Sequence, residues 1–287
     1  MWQSTSLCNL PFRLVSMNKK ERQFVVEVLQ WYRTCGRHDL PWRKTNNPYH
    51  ILVSEMMLQQ TQVARVVPKY RAFLKQFPTA RRLAAAPLGD VLRAWQGLGY
   101  NRRAKFLWQA AQQIMALHKG VFPKHEPALR SLSGVGTYTA AAIMTFAYNQ
   151  PVVVIETNIR QVFLHHFFQD NTKVHDNEIA LLIQKTLPAE NAREWYSALM
   201  DYGSHLKQVH GNLTARSTHY KKQSIFKGSD RQIRGMILSL LAKEEIVTKA
   251  QYRRVLAEFS FDRVQQQLDQ LEREAMIVQL RGRYRLQ

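Results

Sequence analysis

LRSLSGVGTYTAAAIMTFAYNQPVVVIETNIR, residues 129–160, is the stretch from which the rest of the chain is read. Its tight turn, Ser133-Gly134-Val135-Gly136, lies between two apolar helical patterns, so it reads as helix, turn, helix. Two glycines one residue apart let the backbone turn sharply and leave amide N–H groups at the start of the next helix, which suits a phosphate. A buried run, Val152-Val153-Val154-Ile155, then delivers a single acid, Glu156, into Thr157-Asn158. A carboxylate just beyond an apolar segment is a candidate for chemistry rather than for a solvated surface.

The composition agrees with such a site. At 287 residues with 45% hydrophobic side chains, the chain has room for one large domain or two unequal ones, and wholesale disorder is excluded. Its 41 Lys and Arg against 21 Asp and Glu give a formal charge of +20, which favours a polyanionic partner, above all nucleic acid. The two cysteines, Cys8 and Cys35, do not build a secreted disulfide fold, and they leave no four-cysteine zinc or iron–sulfur site. No apolar run approaches the ~20 residues of a membrane helix. Residues 1–19 read as an N-terminal extension without the pattern of a signal peptide, Met17 being an alternative start.

Helical periodicity places Phe24, Val25, Val28, Leu29 and Tyr32 on one face of a first helix. A loop through Leu40-Pro41-Trp42-Arg43 follows, then a helix from Tyr49 to about Val67, stopped by Pro68, with Glu55 in its apolar middle. That glutamate is either at a wet edge or held for a purpose. Further helices are expected over 69–76, 79–85, 88–96, 102–118, 178–186 and 193–206. Gly97-Leu98-Gly99-Tyr100, followed by Arg102, Arg103 and Lys105, is either a DNA-contacting loop or a helix–helix turn with a solvated basic face. Residues 207–229 read as a basic linker. Three helical patterns over 230–276, with Thr248 and Ser260 as N-caps, and a hairpin over 277–286 then form a winged-helix-like module.

Taken together, LPWR at 40–43, SEMMLQQTQV at 54–63, GLGY at 97–100, LSGVGTYTAAAI at 132–143 and ETNIR at 156–160 make residues 20–206 resemble the helix-hairpin-helix DNA glycosylases, most closely the MutY-type adenine glycosylases. The resemblance implies an all-α, two-lobed glycosylase domain, here followed by the winged-helix-like domain at 230–287. It implies a monofunctional enzyme of base excision repair that flips mispaired adenine, opposite 8-oxoguanine or guanine, and hydrolyses its N-glycosidic bond. A related glycosylase for another damaged or mismatched base, or a non-catalytic DNA-binding protein of the same fold, is the alternative. Glu55 corresponds to the acid that protonates the base, a role that burial serves by raising a carboxyl pKa. Glu156 stands where the family has a catalytic aspartate, one methylene shorter, and Asn158 is expected to bond this carboxylate or the water. Tyr138 replaces the lysine of strand-cleaving relatives and forms no Schiff base. Trp42 and Arg43 are expected at the base pocket, Gln60 and Thr61 as groove probes, and Leu58 as a further substrate or DNA contact. Tyr100 is expected as the intercalating aromatic and Gly134, Val135 and Gly136 as the phosphate site.

The resemblance also implies a sodium or potassium ion on hairpin carbonyls near Leu132 and Val135. No other cofactor is expected: the iron–sulfur ligands of the family fall here on Lys207, Thr214, Ser217 and Gln223, none a cysteine. His205, His210 and His219 lack a fourth ligand for zinc, and Lys207, Arg216, Lys221 and Lys222 are expected to meet phosphates instead. Against the family pattern, the winged-helix-like module is expected to stand in place of the 8-oxoguanine-reading C-terminal domain. The implied partner is double-stranded DNA with a mispaired or damaged base, bound by a monomer. The implied location is the bacterial cytoplasm at the nucleoid, with a nuclear or organellar site as the alternative.

Overall fold

In a computed structural model, the structure describes residues 17–220, 222 and 224–287. The extension up to residue 16, Lys221 and Gln223 lie outside it. Among the described residues there are fourteen α-helices and one small sheet, and no helix is long and apolar enough to cross a membrane. The chain divides into two compact units.

The first unit comprises residues 17–51, 124–126, 136–220 and 222. Its helices are α1 (Lys19–Cys35), α8 (Thr137–Tyr148), α9 (Thr157–Phe167), α10 (Asp176–Thr186) and α11 (Ala192–His210). Asn18 and Glu21 form a capping box that starts α1, each side chain bonding the other's amide at 2.9 Å. The apolar face of α1 packs with α9 and α11 around Phe24, Phe163 and Trp195. Among the described residues, the apolar run before Glu156 forms no strand. Instead the Tyr196 hydroxyl accepts from the Val154 amide at 3.0 Å and donates to the Val152 carbonyl at 2.8 Å, standing in for a ladder neighbour.

The second unit comprises residues 52–123, 127–135 and 224–287. It holds most of α2 (Pro48–Leu58), then α3 (Val63–Gln76), α4 (Ala80–Ala84), α5 (Leu88–Ala94) and α6 (Arg102–Leu117), and the short α7 (Glu126–Arg130) leads into the glycine turn. The single helix expected over 49–67 is two helices. The break falls at residues 59–62, where Gln60 has φ +55°, and Pro68 lies inside α3 rather than ending a helix. Helix α12 (Asp230–Lys243), strand β1 (Val247–Thr248), α13 (Lys249–Val255), α14 (Phe261–Arg273), β2 (Ile277–Leu280) and β3 (Arg283–Leu286) complete the winged-helix arrangement. The sheet order is β1-β3-β2, all antiparallel, with Tyr284 facing Val247 on one side and Gln279 on the other. Thr248 caps α13 in a capping box as expected; Ser260 precedes α14 but makes no side-chain cap. The module packs on α5 through α12 and β3.

Residues 207–229, read as a linker, contain the last turn of α11 and a 3₁₀ turn at Leu213–Arg216. Buried Gln161 fixes the start of this segment, donating to the Gly211 carbonyl at 2.8 Å and accepting from the Leu213 amide at 3.0 Å. Backbone bonds of Val174 to Arg216 and Thr218 hold its middle.

Candidate active site

Glu55 lies in the apolar α2 and is itself buried. The end of α2 is fixed by a residue the sequence reading assigned elsewhere. Arg103 is buried and donates to the carbonyls of Met56, Met57 and Gln59 at 2.7, 3.1 and 2.5 Å. Its other branch donates to Thr61 Oγ1 and to the carbonyls of Leu98 and Gly99 at 3.2, 3.0 and 3.1 Å. One guanidinium thus ties the SEMMLQQT turn to the GLGY turn. Burial lowers its pKa to about 10, so it stays cationic at neutrality. Of the expected basic cluster only Arg103 turns inward: Arg102 stays exposed and pairs with Glu274, and the half-buried Lys105 donates to the Glu274 carbonyl. The missed signal was spacing, since Arg103 shares a helical face with Leu107, Ala110 and Ile114.

The same frame positions the residues expected as groove probes. Gln60 is exposed at the tip of its turn, Thr61 bonds the carbonyls of Gln59 and Leu98, and Leu58 is half-buried. Tyr100 is exposed at φ +45°. The glycine turn packs in the same unit: a Cβ on Gly134, at φ +74°, would meet Phe106 at 2.6 Å and Met56 at 2.7 Å. No other residue fits there. The Val135 amide donates to the Leu132 carbonyl at 3.1 Å, so that amide is engaged within the turn rather than turned outward for a phosphate. Gly136 is exposed and begins α8 without a side-chain cap. The Ser133 amide is taken by Gln113 at 2.7 Å.

In the first unit Glu156 caps α9. Its carboxylate accepts the Ile159 amide at 2.8 Å and Asn158 Nδ2 at 3.2 Å. Desolvation raises its pKa, although part of its surface stays accessible; the Asn158 and Ile159 donors and the nearby Arg160 act the other way. Arg160 is itself fixed by Asp176 at 2.6 and 2.7 Å. Gly203 of α11 places Asn158: a Cβ there would lie 2.1 Å from the Asn158 carbonyl oxygen. Tyr138 is half-buried against the first unit's core.

Trp42 is buried in the 3₁₀ turn Pro41–Arg43. Arg43, expected at the base pocket, is committed to the fold. It meets the buried Asp201 carboxylate at 2.5 and 2.7 Å, and Arg37 completes the cluster at 2.5–2.7 Å. Burial alone would raise the Asp201 pKa; the two arginines hold it below the usual carboxylate range.

The donor set around 207–223 does not fit an iron–sulfur cluster. Thr214 donates to Asn212 at 2.6 Å, and Ser217 accepts the His219 amide at 3.2 Å. His205 packs on Trp31, His210 on His165, and His219 faces Asp176, so the three histidines have separate neighbours.

Residues 53–188 match the family described as HhH-GPD superfamily base excision DNA repair protein. The adenine DNA glycosylase of Mycolicibacterium smegmatis is 38% identical over 249 residues, 79% of this chain and 83% of that one. A thymine/uracil-DNA glycosylase of Pyrobaculum aerophilum is 32% identical over 181 residues, 61% of this chain and 79% of that one. Among solved structures, a thermostable thymine-DNA glycosylase gives a TM-score of 0.59 at 27% identity, covering 65% of this chain and 87% of that one.

Proposed function

The chain belongs to the HhH-GPD superfamily of base excision DNA repair proteins and is a DNA glycosylase, and from that premise we propose that it excises mispaired adenine from duplex DNA without cutting the strand. The observation that carries this reading is Glu55, buried in α2 directly before the Arg103-fixed turn. In the proposed reaction the protonated Glu55 gives its proton to N7 of the flipped adenine. The C1′–N9 bond then breaks with its electron pair leaving on the base, and the sugar becomes an oxocarbenium-like cation. Glu156 stabilises that cation and takes the proton of the water that adds at C1′, a task its raised pKa favours. Tyr138 offers no amine for a Schiff base, which supports hydrolysis alone. The exposed start of α8 at Gly136 supports a phosphate contact there, and a sodium or potassium ion on the carbonyls of Leu132 and Val135 belongs to the same proposal. The protein would act as a monomer on chromosomal DNA.

The similarity to thymine- and uracil-directed glycosylases favours one second reading, a mismatched pyrimidine as the excised base. Duplexes carrying A:8-oxoguanine, A:G, T:G or U:G, followed by alkali cleavage of abasic sites, separate the two. Adenine release from the first pair is expected; release only from T:G or U:G would establish the second, and nicking without alkali would overturn the monofunctional assignment. Glu55→Gln is expected to slow single-turnover excision at least about 100-fold while leaving duplex affinity within about twofold. A fully active variant would refute the role of Glu55.

A further inference from the structure

In the second unit a column of alternating rings and guanidinium groups runs from core to surface. It begins at Trp95, which is fully buried, and passes to Arg103, 5.6 Å from the Trp95 ring centre. Arg103 and Arg231 each lie 5.4 Å from the Tyr100 ring centre, and Arg231 is 6.0 Å from that of Phe226. Arg231 also donates to the Tyr100 hydroxyl and to the Ser224 carbonyl and hydroxyl, the latter two at 2.6 and 3.0 Å. The inner half of this column comes from the GLGY turn and the helix ends that flank it, Trp95 just after α5 and Arg103 in α6. The outer half, Phe226 and Arg231, comes from the segment leading into α12 and from α12 itself.

The outer end has the composition of a surface that stacks on bases. Phe226 is 59% exposed and its neighbour Ile225 is 81% exposed, and both are flanked by Lys222, Lys227 and Arg231. Apolar groups left in water beside cations, on a chain of net charge +20, match an unstacked base next to its phosphates. A left-handed tyrosine backbone is also costly unless its surroundings fix it, and here Arg103 and Arg231 both hold the ring.

We propose that Phe226 and Arg231 form, with Tyr100, a composite wedge, through which the C-terminal module stacks on the DNA bases at the step opened by base flipping. The inference rests on the reading of Tyr100 as a DNA-contacting residue. Phe226, with Ile225, covers the exposed base face; Arg231 keeps Tyr100 in register and meets a phosphate.

The test measures affinity for a duplex with an abasic-site analogue and for the same duplex fully paired, together with emission of 2-aminopurine opposite the lesion. Phe226→Ala is expected to weaken lesion binding about tenfold and to remove the emission change, while leaving paired-duplex binding within about twofold; Phe226→Trp restores both lost properties. Arg231→Lys keeps the charge and loses the planar stack, so it should lose lesion affinity while binding paired DNA as before. Since Phe226 is exposed, an unchanged melting temperature controls for folding. If the unaltered protein excises its base and Phe226→Ala and Arg231→Lys bind the lesion duplex as well as it does, the wedge is wrong and the glycosylase reading stands. Tighter lesion binding by Arg231→Ala would equally overturn the wedge, showing a latch that holds Tyr100 back. An unaltered protein that neither binds nor excises from any duplex would overturn both.

Discussion

At Glu156 the carboxylate accepts the Ile159 amide and the Asn158 side chain in the turn that starts α9. Aspartate fills an N-cap with one methylene less. Glu156→Asp is therefore expected to keep the cap and draw the carboxylate back by one bond length. Single-turnover excision should fall about 10- to 100-fold, with the melting temperature within about 2 °C. An unchanged rate would remove Glu156 from the chemistry. Gly203 holds the other partner in place, because the Asn158 backbone passes where a side chain would be. Gly203→Ala must push α9 and α11 apart, at a cost of about 2–4 kcal/mol readable as lost thermal stability. A variant as stable as the original would show that the close approach is not needed. The acid, the asparagine and the substitution at Tyr138 were legible as residue types. The close backbone approach at Gly203 was not, because a glycine in a helix carries no sign of which backbone will lie against it.

The elements show a similar division between what periodicity reveals and what it hides. Helices α1, α6, α8 and α10, and the β2–β3 hairpin, follow from spacing and caps that the sequence carries locally. The break between α2 and α3 does not, since it depends on Arg103, more than forty positions away, collecting carbonyls that a continuous helix would use itself. Pro68 misled for the same reason: a proline forbids a bond within its own helix but does not decide where a neighbouring helix ends. Arg103→Met should leave those carbonyls without a donor in a dry site. The expected cost is about 2–4 kcal/mol, seen as a melting temperature lower by roughly 5–10 °C. Hydrogen exchange in residues 56–62 and 97–100 should rise with it. Equal protection in the variant would mean that the turns hold themselves.

For the whole molecule, the charge and the winged-helix order were legible in the chain, whereas β1, only two residues long, carries too little pattern to be seen before β3 pairs with it. Acid sensitivity is a property of the assembled first unit. Burial lowers the His166 pKa to about 4; Glu27 opposes the shift, and His165 and Lys20 add to it. The unfolded chain, with histidine near 6.5, binds that proton more readily. The contribution of a neutral His166 is thus complete above about pH 6.5 and is lost as the pH falls towards 4. Calorimetric melting temperatures should drop across that interval, and His166→Phe, placed beside Phe24 and Phe167, should flatten the slope. A variant with the same slope would assign it to other groups. The second unit, meanwhile, is assembled from residues 52–123, 127–135 and 224–287. At translation rates of about 5–20 residues per second, roughly 5–20 s separate the emergence of its middle segment from that of its last. During that interval the apolar faces of α5 and α6 wait without the β3 and α12 surfaces that α5 will pack against, so the ribosome and its attendant chaperones must shelter a half-built unit.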